Sequence, residues 1–257
     1  MEPEIALTWA VWLAAAAAIL AAGITQGALG FGFPTISTPV LVLVSDVKTA
    51  IILNLMPNFV VNLISVVRGG NWRASLGRYW PVAVYVLIGS FLGARFLIVS
   101  PQEPIRILLA LMIFAYLFQQ KLAHLDWSAL ERHPRIAQCA FGLTGGFFSG
   151  SVNNSLPPLL IYFMLLGVET TVMTQILNVC FLGGKMVQAA TLGLSGEIHI
   201  SAALANVPLT LVALSGMYAG AQLGARISAQ TYQRLLRRIL FVIAFVLIAQ
   251  GVRGLWF

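Results

Sequence analysis

The sequence predicts an all-α integral membrane protein, and three observations carry that prediction. Of its 257 residues, 59% are hydrophobic and only 9% are charged, whereas a soluble domain usually carries about 25% charged residues. The apolar residues form runs near the roughly 20 residues that span a bilayer as a helix. These runs lack alternating polar faces, which argues against an outer-membrane barrel. The composition therefore excludes an ordinary cytosolic enzyme, a nucleic-acid-binding domain and a disordered chain.

The first half of the chain begins with a broken pair of apolar segments. Glu2 and Glu4 stand where a signal peptide would have a basic region, so the first run is predicted to be retained. Glycines and prolines interrupt the pair between Thr25 and Gly32. Three spans are then predicted before a polar stretch. The five runs are Ile5–Gly23, Leu29–Val44, Thr49–Val67, Tyr79–Val99 and Ile105–Phe118.

The polar stretch from Gln119 to Arg135 divides the chain into two halves. We predict a first transmembrane repeat over residues 1–120, a polar cytoplasmic linker over 121–135 and a second transmembrane repeat over 136–257. The second half again opens with a pair of apolar runs, broken at Ser149–Ser155, and three spans follow. Its runs are Ile136–Phe148, Leu156–Gly167, Thr170–Leu192, Ile200–Leu223 and Leu235–Val252.

Short matches in the same order indicate that the two halves are homologous repeats. The segment from Gly89 to Arg95 aligns with that from Gly220 to Arg226, and Leu53-Asn54 with Leu177-Asn178. Pro39-Val40-Leu41 likewise aligns with Pro158-Leu159-Leu160. If each broken pair is re-entrant, an odd number of net crossings inverts the second repeat. If each pair is instead one tilted crossing, the repeats run parallel.

The distribution of charge favours inverted repeats with both termini outside. In that topology one face carries most of the basic residues, as the positive-inside rule requires of the cytoplasmic face. These are Arg68, Arg73, Arg78, Lys121, Arg132, Arg135, Arg226, Arg234, Arg237 and Arg238. The opposite face carries Glu2, Glu4, Asp46, Lys48, Arg95, Glu103, Arg106, Glu197 and His199. Parallel repeats would scatter the basic loops over both faces.

The two breaks are the predicted binding site. Matching Gly/Pro-interrupted segments in two repeats point to the site of a transporter, because a broken helix exposes backbone groups that lipid cannot satisfy. The N-terminus of the second half-helix suits an anion. The polar stripe Asn54, Asn58, Asn62 and the stripe Thr174, Asn178, Lys185, Gln188 each occupy one helix face. Packing of the glycines and interhelical hydrogen bonding of the amides remain the alternatives.

Lys185 is the sharpest single signal. It lies deep in an apolar run, where insertion of a lysine costs about 2.5–3.5 kcal/mol, and all eight acids lie near segment ends or in loops. We therefore expect it to meet an anion, with a structural or snorkelling role as the alternative. The predicted substrate-binding residues are Gln26, Gly30, Gly32, Asn54, Asn58, Ser151, Asn153, Asn154, Asn178 and Lys185.

Catalytic and cofactor signatures are not expected in this chain. Gly183-Gly184-Lys185 lacks the rest of a phosphate-binding loop, and the three histidines are too scattered for a metal site. Cys139 and Cys180 lie in apolar segments and are expected to be packing thiols. No cofactor, metal or nucleic acid is predicted. The expected partners are a small anion and membrane lipid, and a homo-oligomer is left open.

Three sets of residues carry a resemblance to a known family. They are Gly27-Ala28-Leu29-Gly30-Phe31-Gly32 leading to Pro39, Gly146 through Pro158, and Leu92-Gly93-Ala94-Arg95 with its second copy. In these segments the sequence resembles the TauE/SafE family of sulfite and organosulfur-anion exporters. The resemblance implies a multi-pass carrier of the bacterial inner membrane that exports sulfite, thiosulfate, sulfolactate or an organosulfonate such as sulfoacetate. The chain departs from the family pattern at Phe33-Pro34 and Asn153-Asn154, where members often have further glycines.

Three alternatives to this function stay open at the level of sequence. A passive anion channel would show flux far above the turnover of a carrier, and a carrier for another small organic anion would differ in cargo alone. A membrane-embedded enzyme or an assembly scaffold is the third, although few catalytic groups are present.

Overall fold

The computed structural model describes residues 9–70, 72–128, 132–198, 200–223 and 229–256. Within residues 200–205, 229–236 and 254–256 it describes the backbone alone. Several residues of the charge and repeat arguments lie outside the described residues, namely Glu2, Glu4, Glu131, His199, Gly224, Ala225 and Arg226, as does the side chain of Arg234.

Every regular element in the described ranges is an α-helix, which confirms the all-α prediction there. The first half holds α1 (Trp9–Leu29), α2 (Phe33–Val44), α3 (Val47–Gly69), α4 (Trp72–Val99) and α5 (Gln102–Leu117). A short helix, α6 (Gln119–Ala123), follows in the polar stretch. The second half holds α7 (Pro134–Val152), α8 (Leu156–Leu165), α9 (Thr170–Leu194), α10 (Ile200–Leu223) and α11 (Ala229–Trp256).

Both helix breaks are narrower than the sequence predicts. The first covers only Gly30 to Gly32 and the second only Asn153 to Ser155, so Gln26 and Ser151 lie within helices. The reason is local. Positive φ angles at Gly30 and Asn153 end the preceding helices. Gly32, also with positive φ, is the N-cap of α2, and prolines lie in the first turn of α2 and of α8.

The outer surface of the helices suits a hydrocarbon environment. Among the described residues, α1, α3, α4 and α9 are long and apolar enough to cross a membrane. Large apolar side chains such as Leu13, Val67 and Leu111 are more than half exposed on it, which water would disfavour over a surface of this extent. The chain is therefore a multi-pass membrane protein.

Two close helix pairs join the halves, and each pair runs parallel. In the α1–α10 pair, Gly23 approaches Ala213 while Gly27 approaches Ala221. In the α4–α7 pair, Gly89 approaches Leu143 while Ser151 lies beside Gly93. Small residues allow the backbones to meet in both interfaces. The glycines spaced four residues apart in α7 and α10 all lie against the partner helix, namely Gly142, Gly146 and Gly150 in α7 and Gly216 and Gly220 in α10.

Between these pairs, α3 and α9 pack against each other in antiparallel directions. The start of α3 meets the segment after α9, where Lys48 Nζ lies 3.3 Å from Glu197. The end of α3 meets the first turns of α9, where Gln175 Nε2 donates to the carbonyl of Val66 at 3.0 Å. This central pair carries both polar stripes, and it therefore places them at the interface between the two halves.

Replacement of Gly146 by alanine tests the α4–α7 interface. A Cβ atom there would lie 2.8 Å from the Cα of Val86 and 2.9 Å from that of Gly89, so the backbones must separate. We expect G146A to lower the melting temperature in detergent, at a cost of about 1–3 kcal/mol. The control is G77A in the same helix pair, because a Cβ on Gly77 meets nothing within 4 Å. Equal melting of the two variants would contradict the close packing.

Candidate functional site

At each helix break, a nearby side-chain oxygen accepts a hydrogen bond from the first backbone N–H of the helix that follows. The N–H of Phe33, which opens α2, donates to Gln26 Oε1 at 3.2 Å. The N–H of Leu156, which opens α8, donates to Asn154 Oδ1 at 3.2 Å. The neighbouring prolines have no N–H to offer. The expectation that free backbone donors of the half-helices bind an anion therefore does not fit this geometry, because those donors are used or missing.

Gln26 organises the first break. Its Nε2 donates to Ser65 Oγ at 2.9 Å and to Asn178 Oδ1 at 3.0 Å, which ties α1 to α3 and α9. It also lies 3.2 Å from the carbonyl of Gly30, and Asn178 Nδ2 donates to that carbonyl at 2.8 Å. We call Gln26, Gly30, Ser65 and Asn178 the Gln26 cluster. It satisfies the carbonyl that the end of α1 leaves without a helical partner.

A second cluster surrounds Lys185 at the other break. Lys185 Nζ donates to Asn153 Oδ1, to Gln188 Oε1 at 2.6 Å and to the carbonyl of Ser149 at 3.3 Å. Asn153 Nδ2 in turn donates to Thr38 Oγ1 at 2.9 Å. Asn54 Nδ2 donates to the same hydroxyl at 2.7 Å. We call these residues, together with Asn154, the Lys185 cluster. It binds α2 and α3 of the first half to α7 and α9 of the second.

The charge of Lys185 has no counter-ion among the described residues. Its side chain is 2% exposed, and all three of its acceptors are neutral oxygens. The ion pair that the described part of the chain does contain joins Lys48 to Glu197, at the start of α3. A buried cation is costly unless an opposite charge accompanies it. The Lys185 cluster is therefore electrostatically suited to receive an anion.

A row of asparagines on α3 links the two clusters. Asn54, Asn58 and Asn62 are all 0% exposed, and eight residues of helix span about 12 Å. Asn62 Nδ2 donates to Asn58 Oδ1 at 2.6 Å. Asn58 Nδ2 is buried without a partner, as is Asn154 Nδ2 in the second break. Each unpaired buried donor costs about 1–3 kcal/mol, so these two amides would gain from an anion or a water molecule.

The structure places seven of the ten predicted residues in the two clusters and three outside them. Gln26, Gly30 and Asn178 lie in the Gln26 cluster. Asn54, Asn153, Asn154 and Lys185 lie in the Lys185 cluster, with Asn58 between the two. Ser151 is buried elsewhere: its hydroxyl donates to the carbonyl of Phe147 at 2.7 Å, on the side of α7 that faces Gly93. Gly32 contributes its backbone, since its carbonyl accepts from the N–H of Thr35 at 3.1 Å.

Sequence reasoning missed Thr35, Thr38 and Ser65. Thr35 Oγ1 donates to Asn154 Oδ1 at 3.4 Å, and Thr38 joins three elements as described above. A signal existed for each: Ser65 continues the α3 stripe three residues after Asn62, and Thr35 and Thr38 have the spacing of one helix face. Hydroxyls in an apolar helix often bond their own backbone, which makes that signal weak.

Two cavities reach the clusters. One of about 230 Å³ is lined by Gln26, Gly30 and Asn178 among others. The other, of about 330 Å³, is lined by Lys185 and Asn206 together with apolar side chains, namely Ile52, Leu55, Met56, Phe59, Ala189 and Ile198. They share no lining residue. Larger cavities lie farther out, against apolar side chains such as Trp9 and Leu13, where lipid would fill them. Only the two inner cavities adjoin the polar clusters among the cavities described.

Residues 15–250 match the family described as Sulfite exporter TauE/SafE. No curated protein and no solved structure matches the chain. The match spans both breaks, both stripes and all eleven described helices in whole or in part.

Two substitutions of Asn153 separate its backbone role from its side-chain role. Both N153G and N153A remove the bonds to Thr38 and Lys185, but only glycine adopts the φ of 63° freely. We expect both variants to melt below the native protein in detergent. N153A should lose about 1–2 kcal/mol more than N153G, since a left-handed conformation costs alanine that much. Identical melting of the two variants would contradict the strained geometry.

Proposed function

Since the chain belongs to the TauE/SafE sulfite exporter family, which comprises membrane transporters and not enzymes, we propose that it exports a small sulfur-containing anion across the bacterial inner membrane. The cargo we propose is sulfite, thiosulfate or an organosulfonate such as sulfoacetate. The single observation that carries the proposal is the burial of Lys185 among neutral oxygens beside a helix break.

The anion would bind at the Lys185 cluster. Its oxygens can accept from Lys185 Nζ and from the two unpaired amide donors, Asn58 Nδ2 and Asn154 Nδ2. The negative charge would offset the buried ammonium, and a charge-assisted hydrogen bond is about twice as strong as a neutral one. To reach Lys185, the anion would displace a neutral acceptor such as Asn153 Oδ1. That exchange would also disturb the hydrogen bond between Asn153 and Thr38, so anion binding would change contacts in both halves of the protein.

Inverted repeats with both termini outside remain our proposal for the topology. The equivalent helices α3 and α9 run antiparallel, as inversion requires of equivalent elements. The reciprocal pairing of α1 with α10 and of α7 with α4 supports a two-fold relation. On this topology Arg68 and Gln175 face the cytoplasm, and Lys48 and Glu197 face outward. Each broken pair would then be re-entrant.

The arrangement of the cavities favours a carrier over a channel. The cavity at the Gln26 cluster and the cavity at Lys185 share no lining residue, and the asparagine row lies between them. At the outward end, Lys48 Nζ donates to Glu197 and to the carbonyl of Ile98 at 3.2 Å. This contact ties α3 to α4 and to the segment after α9. We propose that the pair holds the outer face shut while cargo enters from the cytoplasm.

Coupling to protons through a buried carboxylate has no support in the described residues. Asp46, Glu103, Asp126, Glu169 and Glu197 are all partly or fully exposed. We propose that coupling comes from the anion's own proton or that the anion moves down its gradient. Lipid would cover the apolar surface, and a homo-oligomer stays a prediction.

Replacement of Lys185 by methionine tests the binding role. Methionine keeps an unbranched side chain and removes the charge. We expect K185M to abolish sulfite efflux from proteoliposomes and to weaken sulfite binding in detergent at least tenfold. That factor follows from the roughly 1.5–3 kcal/mol that a hydrogen bond to a charged group contributes. The control is K121M, which removes an exposed lysine of α6. Native efflux and binding in folded K185M would contradict the proposal.

Charge exchange at the outward pair tests the closed outer face. In K48E or E197K like charges oppose each other, and the outer face should open. We expect faster labelling by an impermeant maleimide of an I198C cysteine, placed in the lining of the Lys185 cavity, with Cys139 changed to serine. The increase should reach about fivefold at most, because a partly exposed ion pair contributes about 0.2–1 kcal/mol. The double variant K48E/E197K should restore slow labelling. Equal labelling in all variants would rule out this closure.

A further inference from the structure

The cavity at the Gln26 cluster is lined by one positively charged side chain. Residues of α1, α3, α9 and α10 line it, and among these Arg68 is the charged one. Buried amides of Gln26 and Asn178 lie on its wall, together with the polar side chains of Ser65 and Thr174. The cavity therefore runs from an exposed guanidinium to a buried amide network.

We propose that Arg68 forms a second anion site, which captures a small oxyanion at the cytoplasmic mouth and passes it to the Gln26 cluster. The inference rests on the proposed function, because it takes an anion as the cargo. It adds a site at the opposite end of the asparagine row from Lys185. It also assigns a binding role to a residue that the charge pattern alone would treat as an orientation signal.

Arg68 is free to take this role. It is exposed, in the last turn of α3, and forms no ion pair with any described acid. A cation in the last turn of a helix is stabilised by the helix dipole, and that would explain an arginine without a ligand. It would not explain a polar cavity beneath the arginine. A guanidinium presents paired N–H donors that match two oxygens of an oxyanion.

The size of the cavity defines the class of ligand. Its volume of about 230 Å³ equals that of roughly eight water molecules in the liquid. It lies below the 300–1,000 Å³ or so of pockets that hold drug-sized ligands. A small oxyanion with part of its hydration shell fits this space. The donors of the wall already have partners: Gln26 donates to Ser65 and Asn178, Asn178 to the carbonyl of Gly30, and Ser65 to the carbonyl of Val61. They would exchange these acceptors for the oxygens of the anion as it advances.

The first test compares R68Q with R73Q in sulfite flux into proteoliposomes. Arg73 is exposed on α4 and does not line the cavity, so R73Q removes the same charge from the same end of the protein. We expect R68Q to raise the half-saturating sulfite concentration about tenfold with the maximal rate nearly unchanged, and R73Q to shift it less than twofold. An unchanged half-saturation in R68Q, or an equal shift in R73Q, would overturn the site.

A charge-rescue experiment separates binding from a structural role. In a background with Cys139 changed to serine, R68C is treated with a thiol reagent carrying either a trimethylammonium or a sulfonate group. Cys180 is 1% exposed and should not react. We expect the cationic reagent to restore half-saturation towards the native value and the anionic reagent to worsen it. Equal effects of the two reagents would overturn the proposal.

Two further measurements distinguish failure of the Arg68 site from failure of the proposed export function, and oxyanion binding from lipid binding. Sulfite binding is also measured in a maltoside detergent, which carries no phosphate. Weaker binding to R68Q there would support a site for the free oxyanion, whereas a shift confined to phospholipid vesicles would assign Arg68 to lipid headgroups and overturn it. Absence of sulfite flux in the native protein would overturn the proposed function together with the Arg68 site. If the native protein transports sulfite, K185M does not, and R68Q has a native half-saturating concentration, the Arg68 site alone is overturned.

Discussion

The burial of one ammonium group among neutral oxygens is the constraint on which the centre of this protein depends. Lys185 satisfies its three N–H bonds at Ser149, Asn153 and Gln188. Gln188 is held in place because its own Nε2 donates to the carbonyl of Gly150 at 2.8 Å. The close approach of α9 to α4 beside Lys185 requires Gly184, where a Cβ would lie 2.9 Å from Ser90 Oγ. Hydrogen bonding is thus complete while the charge stays unbalanced, and that imbalance is what an anion would relieve.

The interlocking of the two halves limits how such a protein can move. The parallel pairs α1–α10 and α4–α7 each contain one helix from either half, in backbone contact through glycines. Rigid separation of the halves would break both interfaces. The antiparallel α3–α9 pair differs, because its surface carries amides with unpaired atoms at Asn54, Asn58 and Asn62. Rearrangement there exchanges polar partners and sacrifices little packing, so the polar layer is the favourable place for a change of access.

Much of this arrangement could be predicted from the sequence, and the exceptions have physical causes. The helices follow from apolar runs, and the burial of Asn54, Asn58 and Asn62 follows from their spacing. The limits of the breaks do not follow from either pattern, because positive φ angles at Gly30 and Asn153 decide where the preceding helices end. The sequence pattern also does not predict that Gln26 caps α2 and Asn154 caps α8, because it assigns both amides to ligand binding. The contact of Asn153 with Thr38 joins residues 115 apart in the chain, and no local periodicity encodes it.

The most direct measurement is the anomalous diffraction of crystals soaked in selenite, a pyramidal oxyanion that carries a heavier atom than sulfite. The account predicts a selenium peak beside Lys185 Nζ, with selenite oxygens within hydrogen-bond distance of that ammonium and of Asn58 Nδ2 or Asn154 Nδ2. Partial occupancy near Arg68 would accompany it. Well-diffracting crystals with no selenium at Lys185, while the same preparation transports selenite, would contradict the claim that this buried lysine binds the cargo.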